Sequence, residues 1–540
     1  MSSLLCLVLL TGCVTQGVPK SEALLVDAPL VKTVEGILRG VYSDDGKTIA
    51  VFRGIPYAEP PIGDNRWRAP KPANPWSGAR DAVDFSSNCF QTNSVQGWAG
   101  LTRAESEDCL YLNVWTPANA TTDKKPVMVW IHGGGFIIGS GNEARTDGAS
   151  LASKGVVVVA INYRLGPFGF LAHPALSKES PHGVSGNYGI LDQIEALRWV
   201  KQNIEAFGGD PSNITIFGES AGAMSVCYLS ASPLASGLFE KVIAQSGGCF
   251  APHPTLTSSS HVLSYDAPIV GQVLGSGYEV GLQVAHSLGV TGQDAAALSA
   301  LREINGNELM GTLAKNNTTI YWRSVFVDGY VFPDQMHRLY GTPAVSNPDV
   351  LIGFNSEEGA NLWAAQQEVD MNRWQEYVAE KRPKLTERFI SAYASDASTS
   401  TKYAIQNMHA DHMFGWDART WARSAVDNDS EAFVYVFEHP EPLPQFGRSL
   451  GSPHGSDIAY VFGVPSGLWE DVDHRVSKTM QSYWVNFAKT GNPNGAGLPD
   501  WPSYNRSSEA FLEINDTPQV LHNYQKQKFD VYDELFSQPP

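Results

Sequence analysis

Basic residues are scarce in this sequence. Lys and Arg number 38 against 56 Asp and Glu, a formal net charge of −18 over 540 residues. Binding a phosphate backbone requires a clustered basic face, so the balance argues against nucleic acid as a partner. The same field slows anionic substrates unless local Arg or Lys residues counter it. Long apolar runs are also missing. A bilayer-spanning helix needs about 20 apolar residues, and no run after the N-terminus approaches that. Cysteine is sparse, with six in all, and none of the spacings has the form of a metal site. No Gly/Ser-rich or Pro-rich linker divides the chain, and no repeat recurs at solenoid periods. The sequence therefore predicts one large domain, 19–540, with long insertions.

The start, MSSLLCLVLLTGCVTQG, holds a short apolar run, Leu4 to Leu10, with the length of a signal-peptide core. Leu10-Thr11-Gly12-Cys13 resembles a bacterial lipobox, in which Cys13 would carry lipid, although no basic residue precedes Leu4. The expectation is an exported protein whose leader covers residues 1–18. Export permits disulfides. Cys89 and Cys109 bracket a polar loop, and a bridge there would contribute about 3 kcal/mol by loop closure. Cys227 reads as a buried thiol in a helix, and Cys249 has no assigned place.

Secondary structure follows from periodicity. Val31–Leu38 and Thr48–Gly54 read as opening strands. PVMVWIHGGGF and GVVVVAINYRLG are apolar without alternation, as in central strands covered on both faces. NYGILDQIEALRWVKQNIEAFGGDP reads as a helix, its stripe formed by Ile190, Ile194, Leu197 and Ile204, with Gly208, Gly209 and Pro211 stopping it. NITIFGES, EKVIAQSGG, DVLIGFNSEEG and EAFVYVFEH are further strands. Late helices follow in VSKTMQSYWVNFAKT and QKFDVYDELF. Strands alternating with helices predict an α/β fold around a mainly parallel sheet.

The chemistry concentrates where such strands end. Gly218-Glu219-Ser220-Ala221-Gly222 places a serine between glycines at a strand-to-helix turn, the form of a nucleophile elbow. His132-Gly133-Gly134-Gly135 closes another strand. Its glycines let backbone N–H groups face a ligand, and with the Ala221 N–H they would form an oxyanion hole. His132 precedes the elbow and reads as a residue that steadies this loop. Glu357 and Glu358 follow a later strand, and Glu358, beside Gly359, is the preferred acid. His454, between Pro453 and Gly455, is the histidine set among turn formers well past that acid. The order Ser220, Glu358, His454 is that of a serine-esterase triad. A neutral imidazole is needed for a base, so activity is expected to fall on the acid side, near an ordinary value of about 6.5.

These segments, with FRGIPYAEPPIGDNRW, SEDCLYLNVWTP, PHGSDIAYVFG and TGNPN, resemble the type-B carboxylesterases, the family that includes the cholinesterases, over nearly the whole chain after the leader. The resemblance implies an α/β-hydrolase fold, with insertions forming a gorge, and hydrolysis of a small-molecule carboxylic ester without cofactor or metal. It implies Ser220 as nucleophile, Glu358 as acid and His454 as base. Gly134, Gly135 and Ala221 match the oxyanion donors, and Glu219, Ser225 and Ser246 match polar positions beside the triad. Cys89–Cys109 matches the family's first disulfide. Trp98, on the loop those cysteines bracket, occupies the place of a gorge aromatic.

Chain length, leader and bacterial pattern further resemble esterases that release tricarballylic acid from a long amino-polyol mycotoxin. Such a substrate is polyanionic and requires cations at the gorge; Arg145, Arg164 and Arg323 are the candidates. A broad-specificity carboxylesterase, a lipase and a catalytically idle binding module on the same fold are the alternatives.

Overall fold

The computed structural model describes residues 28–43, 46–91, 103–118, 124–259, 275–316, 325–443, 447–449, 451–465 and 467–537. The leader with Cys13, Trp98 and Arg323 lie outside these residues. The apolar runs become an eleven-stranded sheet. In chain order its strands are β1 (Val41–Tyr42), β2 (Ile49–Pro56), β3 (Tyr111–Pro117), β4 (Lys125–Ile131), β5 (Val157–Ile161), β6 (Gly209–Glu219), β7 (Lys241–Gln245), β8 (Asp349–Asn355), β9 (Ala432–Phe437), β10 (Ala510–Ile514) and β11 (Gln519–His522). Across the sheet they run β11-β10-β9-β8-β7-β6-β4-β5-β3-β2-β1. From β5 through β4 and β6 to β10 every neighbour is parallel. β1, β2, β3 and β11 add antiparallel edges.

The missing polar alternation in β4 has its cause here. Val127, Val129 and Ile131 enter the core on one face, together with Ile190, Ile194 and Leu197. Met128 and Trp130 enter the core on the other, with Phe217, Leu351 and Trp484. All of these side chains are fully or almost fully buried. At roughly 1.5–3 kcal/mol for each large aliphatic side chain, burial on both faces fixes the strand's register.

The helices that matter for the site are α1 (Tyr188–Asn203), α2 (Ala221–Ser230), α3 (Thr401–Ala410), α4 (Asp417–Asp427), α5 (Asp471–Thr490) and α6 (Lys526–Ser537). α1 covers the predicted stripe, but Ile204 falls in the short 3-10 turn that follows, and the chain reverses at Gly208 with φ 79°. α5 ends on Gly491 with φ 79°.

Two sequence expectations need correction. Val31–Leu38 is not one strand but a hairpin, Leu30–Lys32 paired antiparallel with Ile37–Arg39. The Thr33 hydroxyl donates to the Gly36 carbonyl at 2.9 Å and closes the turn that breaks the run. Cys227 is not a thiol. It forms a disulfide with Cys249, with Cα atoms 5.8 Å apart. The fold brings α2 beside the segment after β7, a proximity that the spacing alone does not reveal. Cys89–Cys109 forms as expected, with Cα atoms 5.0 Å apart. Among the described residues no helix is long and apolar enough to cross a membrane.

Candidate active site

Strand β6 delivers Ser220 into a backbone conformation that a serine rarely adopts, φ 56° and ψ −123°. Such a residue costs about 1–3 kcal/mol and persists only where its surroundings hold it. Here the Ser220 N–H donates to the Gln245 carbonyl, and its carbonyl accepts from the Met224 N–H, both at 2.9 Å. The flanking glycines have a steric reason. A Cβ on Gly222 would lie 2.0 Å from the Ile131 carbonyl oxygen, and one on Gly218 would lie 2.6 Å from it. The elbow therefore presses α2 directly against β4. Ser220 is half-buried, at the open end of a helix whose first N–H groups have no intrahelical acceptor.

The loop after β4 approaches the elbow from the other side. Gly134 and Gly135 both hold positive φ, 101° and 60°. The Gly134 carbonyl accepts from the N–H groups of Ile137 and Ile138, each at 3.1 Å. A Cβ on Gly133 would meet the Glu219 carbonyl oxygen at 2.5 Å, and one on Gly134 would meet that of Ile138 at 2.2 Å. His132 lies flat on Tyr163, ring centroids 4.4 Å apart. Its Nδ1 sits 2.9 Å from the Gly133 carbonyl oxygen. Burial pushes this imidazole down to about 4, so it stays neutral and braces the loop.

The acid and the candidate base meet across two further loops. Glu358 Oε1 accepts from the Ser246 hydroxyl at 2.5 Å and from the Asn355 N–H at 2.7 Å. Its Oε2 lies 2.5 Å from His454 Nδ1. Glu357 turns elsewhere and accepts from the Tyr403 hydroxyl at 3.0 Å. The structure thus brings the second of the two adjacent glutamates to the histidine. The Asn361 side-chain amide donates to the His454 carbonyl at 3.0 Å, and the Asn355 side-chain amide donates to that of Pro453 at 3.1 Å, so two hydrogen bonds tie the acid loop to the histidine loop.

His454 Nε2 lies 3.2 Å from Glu219 Oε1. Among the described residues no hydrogen bond joins it to Ser220 Oγ, a contact that commonly tightens only with substrate bound. Burial by itself would lower the His454 imidazole, but the carboxylates of Glu219 and Glu358 outweigh burial and raise it to about 9. Burial pushes Glu219 up to about 7, against the opposing pull of His454. The sequence expectation of an ordinary histidine near 6.5 is therefore shifted upward. Facing the ring of His454 is Phe414, stacked at 4.9 Å, a neighbour that no sequence signal indicated.

The other predicted residues take supporting or separate places. Ser225 does not reach the acid or the histidine. Its hydroxyl donates to the Ala221 carbonyl at 2.8 Å and accepts from the Gln193 amide at 3.0 Å, which ties α2 to α1. Arg164 is buried and held by Asp192 through contacts of 2.7 and 2.6 Å, a structural ion pair rather than a free anion site. Arg145 pairs with Glu143 at 2.7 Å. Among the described residues no cluster of His, Cys, Asp and Glu has a metal-holding arrangement.

Comparison with known proteins shows the family and the fold. The model of the Carboxylesterase family matches residues 27–532. The Fumonisin B1 esterase of Sphingopyxis macrogoltabida is 34% identical over 501 residues, covering 89% of this chain and 86% of that protein. Carboxylesterase 1D of Mus musculus is 33% identical, covering 97% of this chain and 95% of its own. A solved structure of PNB esterase superposes with a TM-score of 0.76 at 30% identity, over 93% of this chain and 100% of that one. The chain belongs to the carboxylesterase family and is a carboxylic ester hydrolase with the α/β-hydrolase fold.

Proposed function

We propose that this hydrolase works through a serine nucleophile. Ser220 Oγ attacks the ester carbonyl while His454 Nε2 takes its proton. The developing oxyanion is met by the N–H groups of Gly134, Gly135 and Ala221. The protonated imidazole then passes its proton to the departing alkoxide, leaving an acyl-enzyme on Ser220. In the second half His454 deprotonates water, which attacks the acyl carbon; the imidazolium then returns that proton to Ser220 Oγ as the Oγ–acyl bond breaks and the acid leaves. Glu358 accepts from Nδ1–H and keeps Nε2 facing the serine side. The observation that carries this reading is a strained Ser220 whose neighbour Glu219 meets, at 3.2 Å, an imidazole held at 2.5 Å by the buried Glu358. A fluorophosphonate probe tests it: the adduct is expected on Ser220 and absent from Ser220→Ala, and a wild-type protein that takes no label at neutral pH would refute it.

For the substrate, the likeness to the Fumonisin B1 esterase supports an ester of tricarballylic acid with a long amino-polyol. The engagement of Arg164 and Arg145 with their own carboxylates supports a neutral ester instead, in line with the broad group of carboxylesterase relatives. Parallel assays of fumonisin B1 and p-nitrophenyl acyl esters, with Ser220→Ala as control, decide between them. The expected result under the first reading is efficient loss of fumonisin B1; cleavage confined to simple acyl esters assigns the second. The two disulfides support export to an oxidising compartment, with Cys13 as the proposed anchor, and mass spectrometry of the mature N-terminus tests that.

A further inference from the structure

Helices α3 and α4 form one continuous rod interrupted at Asp411–Trp416 by a π-helical turn. A π turn inserts a residue into the helical frame and re-aims the side chains around it, and such turns gather at functional sites. This one points inward with Phe414, which is 1% exposed. Its ring lies on the His454 imidazole at 4.9 Å with planes 26° apart.

The outward side of the same turn is clamped by α6. His412 stacks on Tyr532 at 5.4 Å and on Phe536 at 5.3 Å. The Trp416 indole N–H donates to Asp533 at 2.8 Å. Gly415 passes so close to α6 that a Cβ there would lie 2.5 Å from the Phe529 ring. From the far end of the turn, Asp417 accepts the Phe250 N–H at 3.0 Å, four residues beyond the Ser246 that holds Glu358.

We infer that the π-helical turn, braced by the C-terminal helix α6, makes Phe414 a positioning residue for His454. The inference rests on the proposed role of His454 as base. Glu358 and Glu219 hold the Nδ1 and Nε2 edges of the imidazole, but contacts at those two edges leave the ring free to rock about the line that joins them. A buried aromatic face opposes the rocking and keeps water from that side of the ring. The ring is then held in one plane through both proton transfers of the proposed mechanism. A misplacement of about 1 Å at a reacting group is enough to cost about a hundredfold in rate.

The test uses the full chain with a neutral acyl ester. Phe414→Ala is expected to lower kcat by roughly tenfold to a hundredfold with KM nearly unchanged, and to slow fluorophosphonate labelling of Ser220 in parallel. Phe414→Tyr, which keeps the ring, is expected to stay close to wild type, whereas Phe414→Leu falls with the alanine variant. The tyrosine and leucine pair carries the comparison if the alanine variant does not fold. Wild-type kcat in a folded ring-less variant, or a loss confined to KM, would overturn the inference. Ser220→Ala in the same series keeps the two questions apart: activity surviving in it sinks the serine mechanism, while its inactivity with an unimpaired Phe414→Leu sinks only the role of Phe414.

Discussion

At His454 two carboxylates compete with burial, and the carboxylates win. Both favour the imidazolium, so the neutral base is reached only at a pH above the ordinary histidine value. The acid limb of kcat/KM for a neutral ester is expected to lie above about 6.5 and to move down when Glu219→Gln removes the carboxylate facing Nε2. A limb that stays in place in that variant shows that Glu219 does not set it. Removing Ser220 or His454 is expected to cost about 10⁶ in kcat, by analogy with other serine triads; a far smaller loss in purified Ser220→Ala would point to a different nucleophile. Ser246 and Ser225 illustrate how far residue type can be trusted. Both are buried polar residues near the elbow, yet one hydroxyl bonds Glu358 and the other bonds a helix carbonyl.

At the scale of elements, the elbow is a contact between α2 and β4 in which backbone meets backbone. Gly222→Ala would drive a methyl into the Ile131 carbonyl, so α2 must lift and carry the Ala221 N–H away from its place. The expected outcome is a loss of about 10²–10³ in kcat, the cost of one oxyanion donor, and wild-type turnover would show that the helix has room to yield. The disulfide Cys227–Cys249 joins α2 to the segment after β7, closing a loop with a sequence separation of 22. Replacing both cysteines by serine is expected to lower stability by about 3 kcal/mol, read as a lower thermal midpoint. An unchanged midpoint would mean that packing alone holds the loop. Periodicity made β4 to β9 and α1 legible because their apolar residues repeat within a short window. It did not reveal β1, β3, β10 and β11, the strands toward the two ends of the sheet, three of which pair only antiparallel. The π turn was equally hidden, because the extra residue is accommodated by tertiary contacts with α6 rather than by a local motif.

Over the whole molecule, the charge of −18 acts on substrates before they reach the site. For a polyanionic ester kcat/KM is expected to rise with salt, since screening shortens the repulsive field to about 8 Å at physiological ionic strength, while a neutral ester shows little change. A fall with salt for the polyanion would reveal a local cationic site strong enough to reverse the field. The sequence by itself determined the class of fold, the elbow, the glycine loop and the chain order of serine, acid and histidine. The elbow and the glycine loop are each written within a few consecutive residues, where a turn, an apolar run or a glycine has one local cause, and the fold class and the chain order follow from such local signals taken in sequence. Only the tertiary structure decided that Cys227 pairs with Cys249, that Arg164 is held by Asp192, and that Phe414 lies on the imidazole of His454. Those outcomes depend on which of several chemically equivalent groups, distant in the chain, the packed sheet and helices bring within a few ångströms, and no local pattern carries that distance.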